Sequence, residues 1–254
     1  MLQAYLQRAP LPISDYINDT KTATDQVPRV LAAMQYIAGQ DKVIASNFDL
    51  ICQFSRVRQL FTTRSMVDDD PLCLLSGFSP DLVRRLKANA QAQQVDSPTL
   101  WSLRSTPKDE AAALLKRLLK KGRTPDFDRM IKAVFSLPFV SINATKVSSD
   151  VEKTSGTNIG KLRINMTIEG GNRGNYGVSS QMSLSLVLGT PQSKRLLSQR
   201  TIGVHSVTGK EIDLEFDWSA ANAGGGEGGG FMILRLLFEE HRGLDGEIRI
   251  PLRQ

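Results

Sequence analysis

LQAYLQRAPLPISDYINDTKTATDQVPRVLAAMQYIAGQ, running from Leu2 to Gln40, is the stretch that decides how the chain is read. Asp19 or Thr20 can accept from the free N–H groups of a first helical turn. Val27, Val30, Leu31, Met34 and Ile37 then recur at the spacings of one helical face, which is expected to meet a core. Gly39 is the expected end of this helix. Arg29, Ala33 and Tyr36 fall together on a second face, which points a cation away from that core. Pro28 removes one helical hydrogen bond and crowds the preceding turn, so the helix is expected either to kink there or to begin afresh near Asp25.

Outward from this stretch, helical grammar continues to about Phe135. Val43 to Phe61 carries Ile44, Phe48, Ile51, Cys52 and Leu60 on apolar positions, with Arg56, Arg58 and Arg64 on other faces. Asp68-Asp69-Asp70-Pro71 breaks it, and Ser79-Pro80 opens a new helix over Asp81 to Ala90. Gln91 to Ser97 is expected to be a loop, and Leu100, Trp101 and Leu103 a short apolar turn. Thr106-Pro107-Lys108-Asp109-Glu110 starts the clearest helix, with carboxylates where the N-terminal dipole favours them; Lys116, Arg117, Lys120 and Lys121 decorate its far end before Gly122. A last helix follows from Asp126 to Phe135. Between Asp81 and Lys132 there are twelve Lys or Arg against six Asp or Glu, an excess as large as that of the whole chain, whose formal net charge is +6. Such lysines either cover a solvated helix face and complement its dipole or contact phosphate.

Past Leu137-Pro138 the period changes from 3.6 to 2. Val140, Ile142 and Ala144 alternate with polar neighbours, as do Leu162, Ile164, Met166 and Ile168, then Met182 to Leu188, then Ile212, Leu214, Phe216 and Trp218. Phe231 to Phe238 is almost wholly apolar, as a central strand would be, and Ile248, Ile250 and Leu252 form a last one. Gly170-Gly171-Asn172 and Gly189-Thr190-Pro191 separate them; the glycine tract Gly224 to Gly230, interrupted by Glu227, is expected to be a flexible hairpin loop. The sequence therefore predicts an α+β chain: a partial helical bundle over 1–78, a helix-loop-helix over 79–135 and an antiparallel β-sandwich of immunoglobulin or fibronectin type over 136–254.

The chemistry is as informative for what it excludes. The 254 residues, 41% hydrophobic, suffice for a sizeable core, and no apolar run approaches the ~20 residues of a membrane span. A soluble, intracellular chain is expected, without a signal peptide. Cys52 and Cys73 lie in apolar surroundings and are expected as buried thiols, and no zinc-type cluster exists. Gly156-Thr157-Asn158-Ile159-Gly160-Lys161-Leu162 fails as a phosphate loop: its glycine spacing is one residue short, no Ser or Thr follows the lysine, and a strand comes next. His205 and His241 sit near no nucleophile and are expected in solvated loops. No catalytic constellation is present, so no enzyme is expected in this chain alone.

The residues Leu2-Gln3-Ala4, Arg8 to Pro12, Asp15-Tyr16, Asp19 to Thr22, and Arg29 with Ala33-Met34 resemble the signature of the Sec-sixty-three homology module of the large dual-cassette superfamily-two RNA/DNA helicases. The wording is closest to the branch of the activating signal cointegrator helicases, with the spliceosomal helicases that unwind small nuclear RNAs next. The resemblance implies that the helix Val27 to Ala38 is a ratchet helix meeting a threaded strand, with Arg29 on the arginine of its motif. It further implies a parent ATP-dependent helicase, in ribosome quality control or alkylation repair, whose upstream motor cassettes hold ATP and magnesium, and a setting in nucleus or cytoplasm with other helicase-complex subunits as partners. On that reading the chain is expected to be a fragment of a longer protein, without a cofactor of its own. Two functions follow: guiding an RNA or DNA single strand along Arg29, Lys116, Arg117, Lys120 and Lys121, or docking other proteins. The sandwich departs from the family pattern, with Gln181-Met182-Ser183-Leu184 where an acidic, tryptophan-rich approach is usual and the glycine tract inserted between strands.

Overall fold

The computed structural model describes residues 2–11, 13–40, 47–119, 126–151, 158–169, 182–191, 194–204, 210–222 and 230–252. Helix α1 spans Leu2–Leu6, α2 Ser14–Gln40 and α3 Phe48–Thr63. α2 begins at Ser14 rather than near Asp19, and it runs through Pro28 as one helix. α3 starts later than Val43: Asn47 caps it, its side chain accepting from the Leu50 N–H at 3.0 Å, and Arg64 closes it in the left-handed region at φ 49°.

The buried face of α2 is not the apolar one. Thr20, Thr24, Gln35 and Ala38 are buried, whereas Val30, Met34 and Ile37 are 54%, 47% and 64% exposed. The physical reason is the helix pair. α2 packs on α3 through small and polar side chains: the Thr24 hydroxyl is satisfied by its own helix at the Thr20 carbonyl (2.8 Å), and Ser55 Oγ donates to Gln35 Oε1 at 3.2 Å. This turns the apolar stripe outward.

Four further helices follow: α4 Pro80–Ala92, α5 Leu100–Ser105, α6 Lys108–Leu119 and α7 Phe127–Phe135. Their ends obey the capping grammar. Ser79 caps α4, Asp126 caps α7, and Thr99 with Ser102 forms a reciprocal box that makes a true helix of the apolar turn at Leu100. The glycine tract around Glu227, Gly170 to Asn172, and Gly122 fall largely or wholly outside the described residues.

The strands are β1 Phe139–Val151, β2 Asn158–Glu169, β3 Met182–Gly189, β4 Leu196–Val204, β5 Lys210–Asp217, β6 Phe231–Phe238 and β7 Gly246–Pro251. Every pairing is antiparallel, in two sheets ordered β1-β2-β5 and β4-β3-β6-β7. The alternating residues Leu162, Ile164 and Met166 of one sheet and Leu184, Leu186 and Leu188 of the other share one core, which also takes in Leu115, Leu118 and Met130 of the helices. Trp218 does not extend β5. Asp217 accepts from the Ser219 N–H at 3.0 Å and starts a short helix, α8 (Trp218–Asn222). A second, smaller core lies on the outer face of the four-stranded sheet, where Ala38, Phe48, Ile51 and Cys52 of the α2–α3 layer meet Val187, Ile233 and Leu237. Arg104 ties helix to sheet: it is 7% exposed, donates to the Leu137 carbonyl and stacks over Phe135 and Phe139.

The far end of α3 is clamped to the β6–β7 turn. Gln59 Nε2 donates to the Phe238 carbonyl at 2.6 Å and to Asp245 Oδ1 at 2.8 Å, and Arg242 reaches the Met66 and Val67 carbonyls. Burial raises the Asp245 carboxyl to about 6, against the lowering pull of Gln59, the Phe238 N–H, Arg56 and Arg242. Burial likewise lowers His241 to about 4, so this residue is not the solvated loop histidine that the sequence predicts. Between roughly pH 4 and 6 the folded chain holds a proton on Asp245 that the unfolded chain lacks, which adds stability as pH falls. Over the same range the unfolded chain protonates His241 and the folded chain does not, which removes it. Asp245→Asn deletes the first effect only. The variant should therefore exceed the wild type by about 2–3 kcal/mol at pH 7 and converge with it near pH 4, as read from urea midpoints at each pH; a difference that stays constant across that range refutes the assignment.

Candidate functional site

The cations singled out by the sequence stand on two separate helix packs. Arg29 is exposed on α2, and among the described residues it makes no ion pair. Tyr36, 65% exposed, lies two helical turns along the same side. Lys116 and Arg117 are exposed in the last turn of α6, while Lys120 and Lys121 lie outside the described residues. α2 packs against α1 and α3, and α6 against α4, α5 and α7, so the two groups are not brought together by helix packing. Nearby cations are already engaged: Arg84 pairs with Asp81 at 3.0 Å, and Lys87 pairs with Asp70.

Sequence reasoning missed a cleft of mixed polar and apolar lining at the seam between the helix pair and the four-stranded sheet. It has a volume of about 300 Å³ and is lined by Gln35 and Tyr36 of α2, Arg58 of α3, and Ser185, Gln199 and Thr201 of the sheet. Arg58, expected on an outer face of its helix, is only 6% exposed. Its guanidinium pairs with Glu239, whose carboxylate also accepts from Ser185 Oγ at 2.8 Å. Gly39 makes room here, since a side chain at that position would collide with the Gln199 amide. No local signal in the α3 sequence marks Arg58 as buried, because its partner lies 181 positions away.

Among the described residues no group of three His, Cys, Asp or Glu is placed to hold a metal, and no helix is long and apolar enough to cross a membrane. Cys52 is buried beside Arg235 and Cys73 is half-buried; burial raises both thiols, and neither forms a disulfide. Neither carries a nucleophile's environment.

The family model described as the Sec63 Brl domain matches residues 1–249. The chain belongs to that family. The Brl domain is 32% identical over 94 residues to the RQC trigger complex helicase SLH1 of Saccharomyces cerevisiae, covering 37% of this chain and 4% of that protein. It is 30% identical over 113 residues to the activating signal cointegrator 1 complex subunit 3 of Dictyostelium discoideum, covering 43% of this chain and 5% of that protein. The chain thus spans only a small part of the length of these relatives. A solved structure from Akkermansia muciniphila aligns with a TM-score of 0.26 at 9% identity, over 46% of this chain and 71% of that one, too distant to inform the fold. Within the Brl domain, Arg29, Lys116 and Arg117 are the exposed cations that the sequence assigned to a strand, and the cleft at Arg58 is a feature that it did not assign.

Proposed function

We propose that this chain is the non-catalytic C-terminal module of an ATP-dependent nucleic-acid helicase, and that it guides a single strand of RNA or DNA while supporting a motor encoded upstream. ATP and magnesium belong to that motor. The observation that carries the reading is Arg29, an exposed cation that makes no ion pair among the described residues, on the long helix α2 of a chain of this family. Lys116 and Arg117 form a second phosphate-contacting group, and Lys120 and Lys121, which follow them in the sequence, are assigned to the same role. On this reading the chain divides at 78 and 135 into partial bundle, helix-loop-helix and sandwich. The strand orders β1-β2-β5 and β4-β3-β6-β7 support an immunoglobulin or fibronectin type for the last of these. The relatives' printed names, one an RQC trigger complex helicase and the other a complex subunit, support a place in a multi-subunit helicase complex. The family resemblance extends that reading to ribosome quality control or alkylation repair, in nucleus or cytoplasm, with the equivalent module of a spliceosomal helicase as the alternative.

The test is titration of single-stranded oligonucleotides across salt. Arg29→Ala should lower the salt-dependence slope by roughly one unit and weaken binding similarly for all sequences, and Lys116→Ala should act likewise. Stability should stay within about 0.5 kcal/mol of wild type, because these side chains are exposed and unpaired. A specific observation favours a second reading. Val30, Met34 and Ile37 leave an apolar stripe uncovered on α2, as a protein-docking face would. Unchanged strand binding in both variants, with the fold intact, moves the function to docking.

A further inference from the structure

The α2–α3 layer is covered by the sheet on one side and carries apolar side chains on the other. On α2, Ala32, Gln35 and Tyr36 line the cleft against the sheet. Residues two apart in an α-helix stand about 160° apart around its axis, so Val30, Met34 and Ile37 are turned away from the sheet. The same holds for α3. Phe48 seats on Gly189 and Gln59 donates to the Phe238 carbonyl, whereas Leu50 and Val57, each two positions from one of these, stand on the opposite side and are 40% and 37% exposed. Ala38 near the end of α2 and Phe48 at the start of α3 share the smaller core, and Gln35 meets Ser55, so the two helices run antiparallel. All five apolar residues lie within five positions of that contact, about 8 Å along the axes, which sets the two stripes side by side.

The second observation is that this face carries no formal charge. Gln26, Ala33 and Gln53, exposed around the stripes, are neutral. Charged neighbours are turned elsewhere: Asp49 pairs with Arg235 of β6, Arg58 pairs with Glu239, and Arg56 acts on Cys52 and Asp245 on the sheet side. Arg29 keeps to the flank of α2 that it shares with Tyr36, which lines the cleft. Charge therefore selects no partner of opposite sign, and it sets up no repulsion across this face between two copies of a chain whose formal net charge is +6. Size agrees. α3 has 16 residues and is about 24 Å long, and two helices side by side are roughly 20 Å across. The accessible surface of so corrugated a face is on the order of the 800 Å² that each partner of a stable dimer buries.

We propose that the α2–α3 layer packs on the same layer of a second copy of this chain, the four helices closing a bundle about a two-fold axis. Each copy sets Val30, Met34 and Ile37 against apolar side chains of the other, and assembly stops at two because both copies use the same face. Arg29 and the cleft stay outside the contact. The pairing goes beyond strand guidance and does not depend on it; it names one occupant for the face that the docking reading leaves open.

The test is sedimentation equilibrium of the whole chain over a range of concentrations. A monomer–dimer equilibrium with a dissociation constant in the micromolar range or tighter is expected of an interface of this size. Met34→Glu should weaken it by at least about 100-fold, because pairing would bury a carboxylate without a partner. Met34 is half exposed in the single copy, so at dilutions where the wild type is monomeric the variant should unfold at the same urea midpoint. Leu50→Glu, on the other helix, should weaken pairing likewise and keeps the test from resting on one variant's folding. Lys116→Ala, on the separate helix pack, should leave association unchanged while it tests strand guidance, so the two readings fail separately. A chain that stays monomeric up to about 100 µM overturns the proposal and gives the face to a different protein. A dimer of unchanged affinity in both Glu variants, or assembly that grows past two copies, overturns it as well.

Discussion

Arg58→Met should destabilise the chain by about 3–5 kcal/mol, the range for removing one partner of a buried ion pair. Arg58 is 6% exposed, and Glu239 opposite it is nearly as enclosed, with side-chain exposure of 13%. Methionine fills much of the space of the arginine stem but leaves the Glu239 carboxylate with only the Ser185 hydroxyl. Ionised and unpaired, that carboxylate is the dominant cost. Replacing both residues, as Arg58→Met with Glu239→Gln, should recover a large part of the loss, because no buried charge then remains. Urea denaturation of the two single variants and the double variant measures the coupling. A loss below about 1 kcal/mol in Arg58→Met would put the pair in the class of solvated surface bridges.

The same pair shows where sequence reasoning stops. Alternation located β2 because it presents one regular apolar row to a core, as Leu162, Ile164 and Met166 do, and a nearly continuous apolar run located β6, which meets a core on each face. Capping residues located α4 and α7 because Ser79 and Asp126 act within their own turn. Both signals are local. β4 was not singled out by alternation, since only part of its length faces the main core at Ile202 while Gln199 and Thr201 line the cleft. The face of α2 was misassigned for a related reason. A hydrophobic stripe marks the core side only when apolar burial decides the packing, and here close approach of α3 selects Thr20, Thr24 and Ala38 instead. The exposed cations Arg29, Lys116 and Arg117 were legible, since a long charged side chain is seldom buried unless it finds a partner, as Arg58 does in Glu239. The cleft was not, because it is assembled from α2, α3, β3 and β4 and exists only once those elements meet.

Phe48→Ala should cost about 3–5 kcal/mol, and the loss should fall unevenly on the molecule. Phe48 is 2% exposed and its ring lies directly on Gly189, where any side chain would overlap it. Arg235, held by Asp49 at 2.7 Å and Glu247 at 3.2 Å, covers the ring with its guanidinium 4.6 Å from the centroid. The phenyl group is thus the main apolar pin between the α2–α3 layer and the outer face of the four-stranded sheet, in a core distinct from the one between the sheets. Removing it empties the smaller core and leaves the larger one filled. Hydrogen exchange should therefore accelerate across α2 and α3, while β2 and β6 amides keep their protection. Gly189→Ala should produce the same pattern at a smaller cost, about 1–3 kcal/mol, by pushing the ring away rather than deleting it. Uniform acceleration in all strands and helices would mean that the two cores unfold as one unit, and the helix pair could not then act as a separately docked layer carrying Arg29.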